Sequence, residues 1–538
     1  MKAADEVIEV DREELQAMLE RKREALGEED YQKLRKLLRA FSYLSDLIGE
    51  KDTTISQLRA LLMKPSTEKT EKVLERAGLE SSSKVHASGP KSKAKPGHGR
   101  NGAETYCGAV RIPIAHRSLK PGDHCPGCLK GKVYEQKEPG LRIRVVGQAP
   151  IAATVYALER LRCNLCGEIF EADAPKGVGE KKYDESAAAM IALLRYGSGV
   201  PFYRLQGLER NLGIPLPSST QWEVAAQTAA LIRPAFEELL RQAGQGEVFH
   251  NDDTSMKILS LARSSAPSAG ERTGVFTSGI VSTRQGQRIA LFFTGRRHAG
   301  ENFAQVLAHR AAGLPPPIQM ADALSRNFAK LPEKLQVIVG NCNAHSRRRF
   351  VDVVSNFPEH CRYVLENLAE VYGYDAQADE RGLSPEERLR FHQEHSGPVM
   401  EKLHAWLRAQ LAERKVEPNS GLGSAIAYCL KHWERLTLFL RQAGAPLDNN
   451  VVERALKKAI LHRKNSLFYK TENGAEVGDM FMSLIHTCEL NGSNAFDYLT
   501  ELQKHAEEVT KNPSAWMPWN YRNTLERGAV ASPREAPG

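Results

Sequence analysis

Two groups of residues have types and spacings that could do chemistry. The first is Cys125-Pro126-Gly127-Cys128 together with Cys163-Asn164-Leu165-Cys166, two Cys-x-x-Cys pairs. Four thiolates at this spacing suit one tetrahedral zinc, whose charge stabilises deprotonated sulfur and ties together a unit too small to fold on apolar burial alone. A redox dithiol is the competing use, and His124 could replace one thiolate or simply flank it in solvent. The second group is acidic: Asp252 with Asp253, Asp322 at the end of an apolar run, and Glu453 shortly after Asp448 and Asn449. Three carboxylates forced together repel, so such a cluster is costly unless cations compensate it. Two divalent ions about 3.5 to 4 Å apart would do so while promoting in-line phosphoryl transfer, and hard oxygen ligands favour magnesium or manganese.

The elements that must position these acids are legible in the apolar pattern. From Val248 the period changes to two: residues 248–259, 274–282 and 288–294 read as three strands, with Gln285-Gly286 marking the last turn. A helix over 300–310, a strand over 317–322 and a strand over 336–340 running into a helix follow. Three strands and then alternating helix and strand is the order of an RNase-H-like α/β core. An acid in the first strand, one ending the fourth and one on a later helix converge there at one edge of the sheet. Asp252 and Asp253 point to opposite faces of their strand, so only one can join. Glu453 falls one turn into a helix that Asp448 or Asn449 can cap, with Lys457 on the same face as a surface ion pair or a phosphate contact.

A chain of 538 residues is too long for one hydrophobic core. The reading is multidomain α/β: 1–64 helical or coiled-coil, 65–104 a basic flexible linker, 105–180 a zinc-ribbon-like module and 181–245 a helical region. The first part of the core follows over 246–358, then a helical insertion over 359–445, the last part of the core with the glutamate helix over 446–505, and a tail over 506–538. Leu34, Leu37, Phe41, Leu44, Ile48, Ile55, Leu58 and Leu62 keep a seven-residue grid broken by Lys51. That is a coiled-coil seam for self-association, or else an amphipathic helix packed on its own domain. Residues 81–102 carry Lys84, Lys91, Lys93, Lys95 and Arg100 and no acid, a tether that could lie along phosphates or merely stay solvated. Strands over 141–146 and 152–161 are expected to form a hairpin between the cysteine pairs. Helices over 187–195 and 202–211 and a capped one over 218–222 resemble a helix-turn-helix, the alternative being a helical layer on the following domain. In the insertion, 385–394 and 400–414 read as helices.

The 74 Lys plus Arg against 66 Asp plus Glu give a net charge of +8, compatible with a polyanionic partner. No apolar run reaches about 18 residues and the N-terminus is acidic, so neither a membrane span nor a secretory signal is expected. A cytoplasmic, nucleoid-associated protein fits, and nine cysteines in so long a chain do not make a disulfide scaffold.

Four blocks resemble a known family. His250-Asn251-Asp252-Asp253-Thr254 resembles the His-Ala-Asp-Glu-Thr strand of the transposases of insertion sequence 66, and Gln319-Met320-Ala321-Asp322 their Gln-x-Asp block with one extra residue. Cys342-Asn343-Ala344-His345-Ser346-Arg347-Arg348 resembles their Cys-Trp-Ala-His-Ala-Arg-Arg, with Asn343 in place of Trp. Asp448-Asn449-Asn450-Val451-Val452-Glu453-Arg454, followed by Arg463-Lys464-Asn465-Ser466-Leu467-Phe468, resembles their glutamate helix nearly residue for residue. The resemblance implies a DDE transposase with Asp252, Asp322 and Glu453 as the acid set and Mg²⁺ or Mn²⁺, two per site. It selects Asp252 over Asp253. Double-stranded DNA, at element ends and target, is the implied substrate, cut and then joined through the freed 3′-hydroxyl. A homodimer or higher assembly and accessory proteins of the same element are the implied partners. His345 and Arg348, three apart on one helical face, would hold the scissile phosphate or orient a leaving group; otherwise they are a packed His and a solvated Arg. Arg347, Arg454, Lys457, Arg463 and Lys464 are DNA-contact candidates. A catalytically silent DNA-binding regulator and a nuclease that cuts without joining are the competing functions.

Overall fold

The computed structural model describes residues 18–21, 27, 30–35, 69–76, 104, 109–136, 141–145, 147–166, 168–175, 177–178, 181–263, 272–328, 331–332 and 335–531. The chain divides into two compact units, Met1–Gly78 and Leu79–Gly538. In the first, residues 18–21, 30–35 and Thr70–Arg76 are helical, and Leu19, Tyr31 and Leu74 are buried. Of the heptad positions only Leu34 is described, and it is exposed. The rest of that seam, and the basic stretch 81–102, lie outside the described residues.

The second unit begins with the cysteine segment. Its hairpin pairs β1 (Arg160–Arg162) with β2 (Ile169–Glu171), antiparallel, and turns through Cys163-Asn164-Leu165-Cys166. The hairpin therefore straddles the second cysteine pair instead of lying between the two pairs. Residues 141–145 form no strand, and Leu141, Ile143 and Val145 are exposed.

After helices Glu185–Ala192 and Phe202–Asn211 comes α1 (Ser218–Ala243), which runs on far beyond Trp222 and through Pro234. Ala225, Ala229, Ile232, Ala235 and Leu239 of α1 share one apolar core with Phe249, Ile280, Phe292 and Phe303 of the α/β part. These helices are thus a layer on the sheet, built by an apolar stripe at helical spacing.

The sheet holds five strands: β3 (Val248–Met256), β4 (Val275–Arg284), β5 (Gln287–Gly295), β6 (Ile318–Ala321) and β7 (Ile338–Asn341). Their spatial order is β5-β4-β3-β6-β7, with β3–β4 and β4–β5 antiparallel and β3–β6 and β6–β7 parallel. Between β5 and β6, α2 (Ala299–Leu307) packs Phe303 on Phe249, ring centroids 5.2 Å apart. From β7 the chain enters α3 (Asn343–Val353) and then α4 (Pro358–Glu380) and α5 (Pro385–Ala412). The two helices expected over 385–394 and 400–414 are one, since α5 continues through Pro398.

The chain returns to the sheet with α6 (Asn450–Ser466), which carries Glu453, and α7 (Glu472–Leu490). Gly279 of β4 admits α6, because a Cβ there would stand 3.0 Å from Leu456. Along α7, Asp479, Ser483 and Thr487, and Asn491 just beyond it, accept the free N–H groups of Thr294, Phe292, Ala290 and Arg288 of β5. A sheet edge that would otherwise expose a row of unpaired donors is closed by one polar row at four-residue spacing. No helix among the described residues is long and apolar enough to cross a membrane.

Candidate active site

The centre of the site is the C-terminal end of the parallel strands. Asp252 lies in β3 opposite Gly279, and Asp322 follows the last residue of β6. The two carboxylates share one amide: Asn327 Nδ2 donates to Asp252 Oδ1 at 3.3 Å and also to Asp322 Oδ1. Asp252 Oδ1 further accepts the Asp253 N–H at 2.8 Å, and Asp322 Oδ1 accepts the Leu324 N–H at 3.1 Å. Among the described residues no Lys or Arg pairs with either acid. Burial, reinforced by the charge of Asp322, pushes the Asp252 carboxyl up to about 7. Its hydrogen bonds oppose that rise without cancelling it.

Asp253 is handled differently. Its Oδ2 accepts from His298 Nδ1 at 2.8 Å and the Ala299 N–H at 3.4 Å, while Arg326 Nε stands 3.5 Å from Oδ1. Opposite faces of one strand therefore carry an acid with a histidine and an arginine beside it and, among the described residues, an acid pair without a Lys or Arg partner.

Glu453 reaches the same end of the sheet on α6. Asn449, the residue before that helix, makes no side-chain cap; its Oδ1 accepts from His250 Nδ1 at 3.1 Å and its Nδ2 donates to the Asn251 carbonyl at 3.1 Å. It thereby bolts the helix start to β3, and burial holds His250 neutral, its imidazolium lowered to about 4. The helix entry is held a second way, since Cys342 Sγ accepts the Asn449 N–H at 3.2 Å and the Cys342 N–H donates to Ala321 O at 3.0 Å. Burial pushes that thiol up to about 12.

The Glu453 carboxylate itself lies beside His345, Oε1 to Nδ1 3.6 Å, and both atoms are enclosed without a hydrogen bond. Cys342, His345 and Glu453 form the one group of three candidate metal ligands within 4.8 Å of one another among the described residues. The structure brings Asp252 and Asp322 together on Asn327, but these two and Glu453 do not form such a group. It also gathers no three of Cys125, Cys128, Cys163 and Cys166 into such a cluster. The first knuckle is nonetheless shaped for a thiolate: the Gly131 N–H donates to Cys128 Sγ at 3.4 Å, and backbone donors from Gly131 and Lys130 hold this exposed thiol below its usual range.

Among the DNA-contact candidates, Arg454, Lys457 and Lys464 are exposed. Arg463 is used internally, tying the end of α6 to β3 through Thr254 Oγ1 at 3.0 Å and Ser255 Oγ at 2.7 Å. Arg347 and Arg348 are half-buried, Arg347 near Tyr372, and Arg349 lies over the Tyr428 ring at 3.9 Å.

Sequence reasoning missed Asn327, Arg326, His298 and the tether made by Asn449. Asn327 offered one signal, an amide five residues past a strand-ending Asp in a polar stretch between strands.

A family model described as "Transposase IS66 family" matches residues 181–477. The uncharacterized protein y4jD of Sinorhizobium fredii is 26% identical over 453 residues, covering 79% of this chain and 84% of that protein. The uncharacterized protein y4hP of the same organism is 24% identical over 383 residues, 68% of this chain and 67% of its own.

Proposed function

Because the chain belongs to the IS66 family of transposases, we propose that it cuts DNA at the ends of a mobile element and joins the freed 3′-hydroxyl to target DNA. Asp252, Asp322 and Glu453 are its acid set. The observation that carries the reading is the Asp252–Asp322 pair, two carboxylates held on one amide with, among the described residues, no Lys or Arg paired to them. The strand order, with the antiparallel strands beside β3 on one side and the parallel ones on the other, supports an RNase-H-like core.

This donor set fits a hard divalent cation, and Mg²⁺ or Mn²⁺ bound there would supply charge that activates the attacking oxygen and stabilises the leaving one. The remaining work belongs to the chain. Asp252 and Asp322 hold their oxygens at the sheet end, Glu453 on α6 lies 3.6 Å from His345, and exposed Arg454, Lys457 and Lys464 line the glutamate helix for phosphates. We assign Cys125, Cys128, Cys163 and Cys166 to one structural zinc, and we assign self-association to the N-terminal seam, with element-encoded accessory proteins as further partners. As a protein proposed to act on DNA, it would work at the nucleoid.

Cleavage of a labelled element end by wild type, Asp252→Asn, Asp322→Asn and Glu453→Gln, with DNA binding in parallel, tests this. Each variant should bind and fail to cut. Full cutting by Asp252→Asn, or cutting by wild type in excess chelator, overturns the acid set. Cleaved ends without joined product would instead indicate a nuclease.

A further inference from the structure

Two adjacent carboxylates on β3 are met, one for one, by two adjacent residues of the 3-10 turn Ser325–Asn327. Arg326 Nε faces Asp253 Oδ1 at 3.5 Å, and Asn327 Nδ2 faces Asp252 Oδ1 at 3.3 Å while also donating to Asp322. The turn is fixed from within as well: the Asn327 backbone carbonyl accepts from Asn251 Nδ2 and from Gln319 Nε2, both at 2.8 Å. Gln319 Nε2 also donates to Asn251 Oδ1 at 2.8 Å, so β3, β6 and the turn close one buried amide network.

We propose that Asn327 is a positioning residue that sets the spacing of the Asp252 and Asp322 carboxylates for a divalent cation, and that the Arg326–Asp253 pair anchors its turn. This deepens the reading of that acid pair as a metal site and rests on it.

The chemistry of an amide suits the task. Its NH₂ has two hydrogens, enough to donate to two carboxylates at once, yet it carries no charge. A Lys or Arg in its place would neutralise the pair and compete with the cation; an amide restrains the oxygens and leaves their charge to be used. Each carboxylate oxygen accepts more than one bond, so the Asn327 contacts do not exhaust the pair. The amide's orientation is dictated by the acids, since the flipped form would set its oxygen against two carboxylates. The cost is visible at the other end: Asn327 is fully buried and its Oδ1 has no hydrogen-bond partner. A residue that keeps an unmet buried acceptor in order to aim its donors is doing so for the acids.

The pairing also explains how neighbouring acids acquire different duties. Asp253 Oδ2 is occupied by His298 Nδ1 and the N–H at the start of α2, and Arg326 Nε stands 3.5 Å from its Oδ1. The same Arg326 contact fixes the residue beside it. Asp253 thus acts on the site through the turn.

The test is Mn²⁺ binding to the DNA-free full-length chain by calorimetry, with thermal melting, for wild type, Asp252→Asn, Asn327→Ala, Asn327→Asp and Arg326→Ala. Asn327→Ala should bind Mn²⁺ roughly tenfold or more weakly, the usual effect of removing a group that orients a ligand. Arg326→Ala should move the same way by less. Asn327→Asp keeps the shape but replaces donors by a third charge; it should melt lower without metal and gain more from Mn²⁺ than wild type does. Wild-type Mn²⁺ affinity in an Asn327→Ala protein of unchanged melting overturns the inference and leaves the acid pair standing. Should Asn327→Ala not fold, an Asn327→Asp protein that melts like wild type with and without Mn²⁺ overturns it instead. Equal Mn²⁺ binding by wild type and Asp252→Asn removes the acid-pair reading, and the inference with it.

Discussion

The acid site and the cysteine segment are both assigned metals, yet they are built in opposite ways. Around the acids the apolar residues are buried: Phe249, Ile280, Leu291 and Phe292 have no exposed surface, and the sheet they support carries Asp252 and Asp322 on one shared amide. Around the cysteines they are not: Val110, Ile114, Val155 and Leu165 are 87%, 88%, 91% and 92% exposed, and the strands are three residues long. Apolar burial fixes the first arrangement and offers nothing to fix the second. On the proposed assignments, the fold would prepare the first site for its metal, and in the second the metal would have to make the fold.

The harshest way to break this comparison is to take a ligand from the prepared site. Asp252→Asn should lower cleavage by at least about 10³-fold, as loss of a member of a catalytic unit does. Its metal-free melting temperature should hold or rise, because a buried, repelled carboxylate has been removed. Calorimetry showing a large loss of stability would make Asp252 a structural residue.

The cysteine segment should respond in the reverse sense. Freshly purified, reduced protein should carry about one zinc per chain, and Cys163→Ser or a chelator should open residues 105–180 to protease while the core melts unchanged. A segment equally resistant with and without zinc would erase the contrast.

Acidity should separate the sites next. Asp252 binds its proton more tightly in the folded chain than unfolded, so its contribution to stability is full below the ordinary carboxylate range and is lost as pH rises through about 7. Divalent affinity runs the other way. It should climb about tenfold per pH unit while one proton must be displaced, then level off above about 7. Mn²⁺ titrations between those limits would show it, and a flat profile would mean that Asp252 does not hold the ion.

What the sequence disclosed follows the same division. β4, β5 and the strand-to-helix passage at Cys342 were legible as short strand-forming runs bounded by turns, although the centres of β4 and β5 are buried continuously and do not alternate. Helix Phe202–Asn211 likewise coincides with its pattern. Leu141, Ile143 and Val145 write an alternation yet stand exposed, since a pattern records what could be buried and not whether a partner surface exists. Pro398 and Pro234, which cannot donate a helical hydrogen bond, nonetheless lie within long helices whose packing outweighs that loss. Asp252 and Glu453 could be named from their blocks. Asn327 could not, because its meaning lies in contacts to β3 made 75 residues away, and local periodicity carries no record of those.

The smallest effect expected concerns the closed sheet edge. Thr487→Val, nearly isosteric, leaves the Ala290 N–H without its acceptor and should cost about 1–3 kcal/mol in denaturant unfolding while leaving cleavage intact. A neutral substitution would show that water already serves that donor.

That ladder of four side chains against β5 is also a vernier. Four helical residues advance about 6.0 Å and two strand residues about 6.7 Å, so each rung slips by roughly 0.7 Å. Over the three steps from Asp479 to Asn491 the slip reaches about 2 Å, near the limit that side-chain rotamers can absorb. A fifth rung would add about 0.7 Å more and call for a longer side chain. The pitch of α7 therefore limits how long β5 can be while keeping its edge shut, and a longer β5 would present a free strand margin to any second copy of the chain.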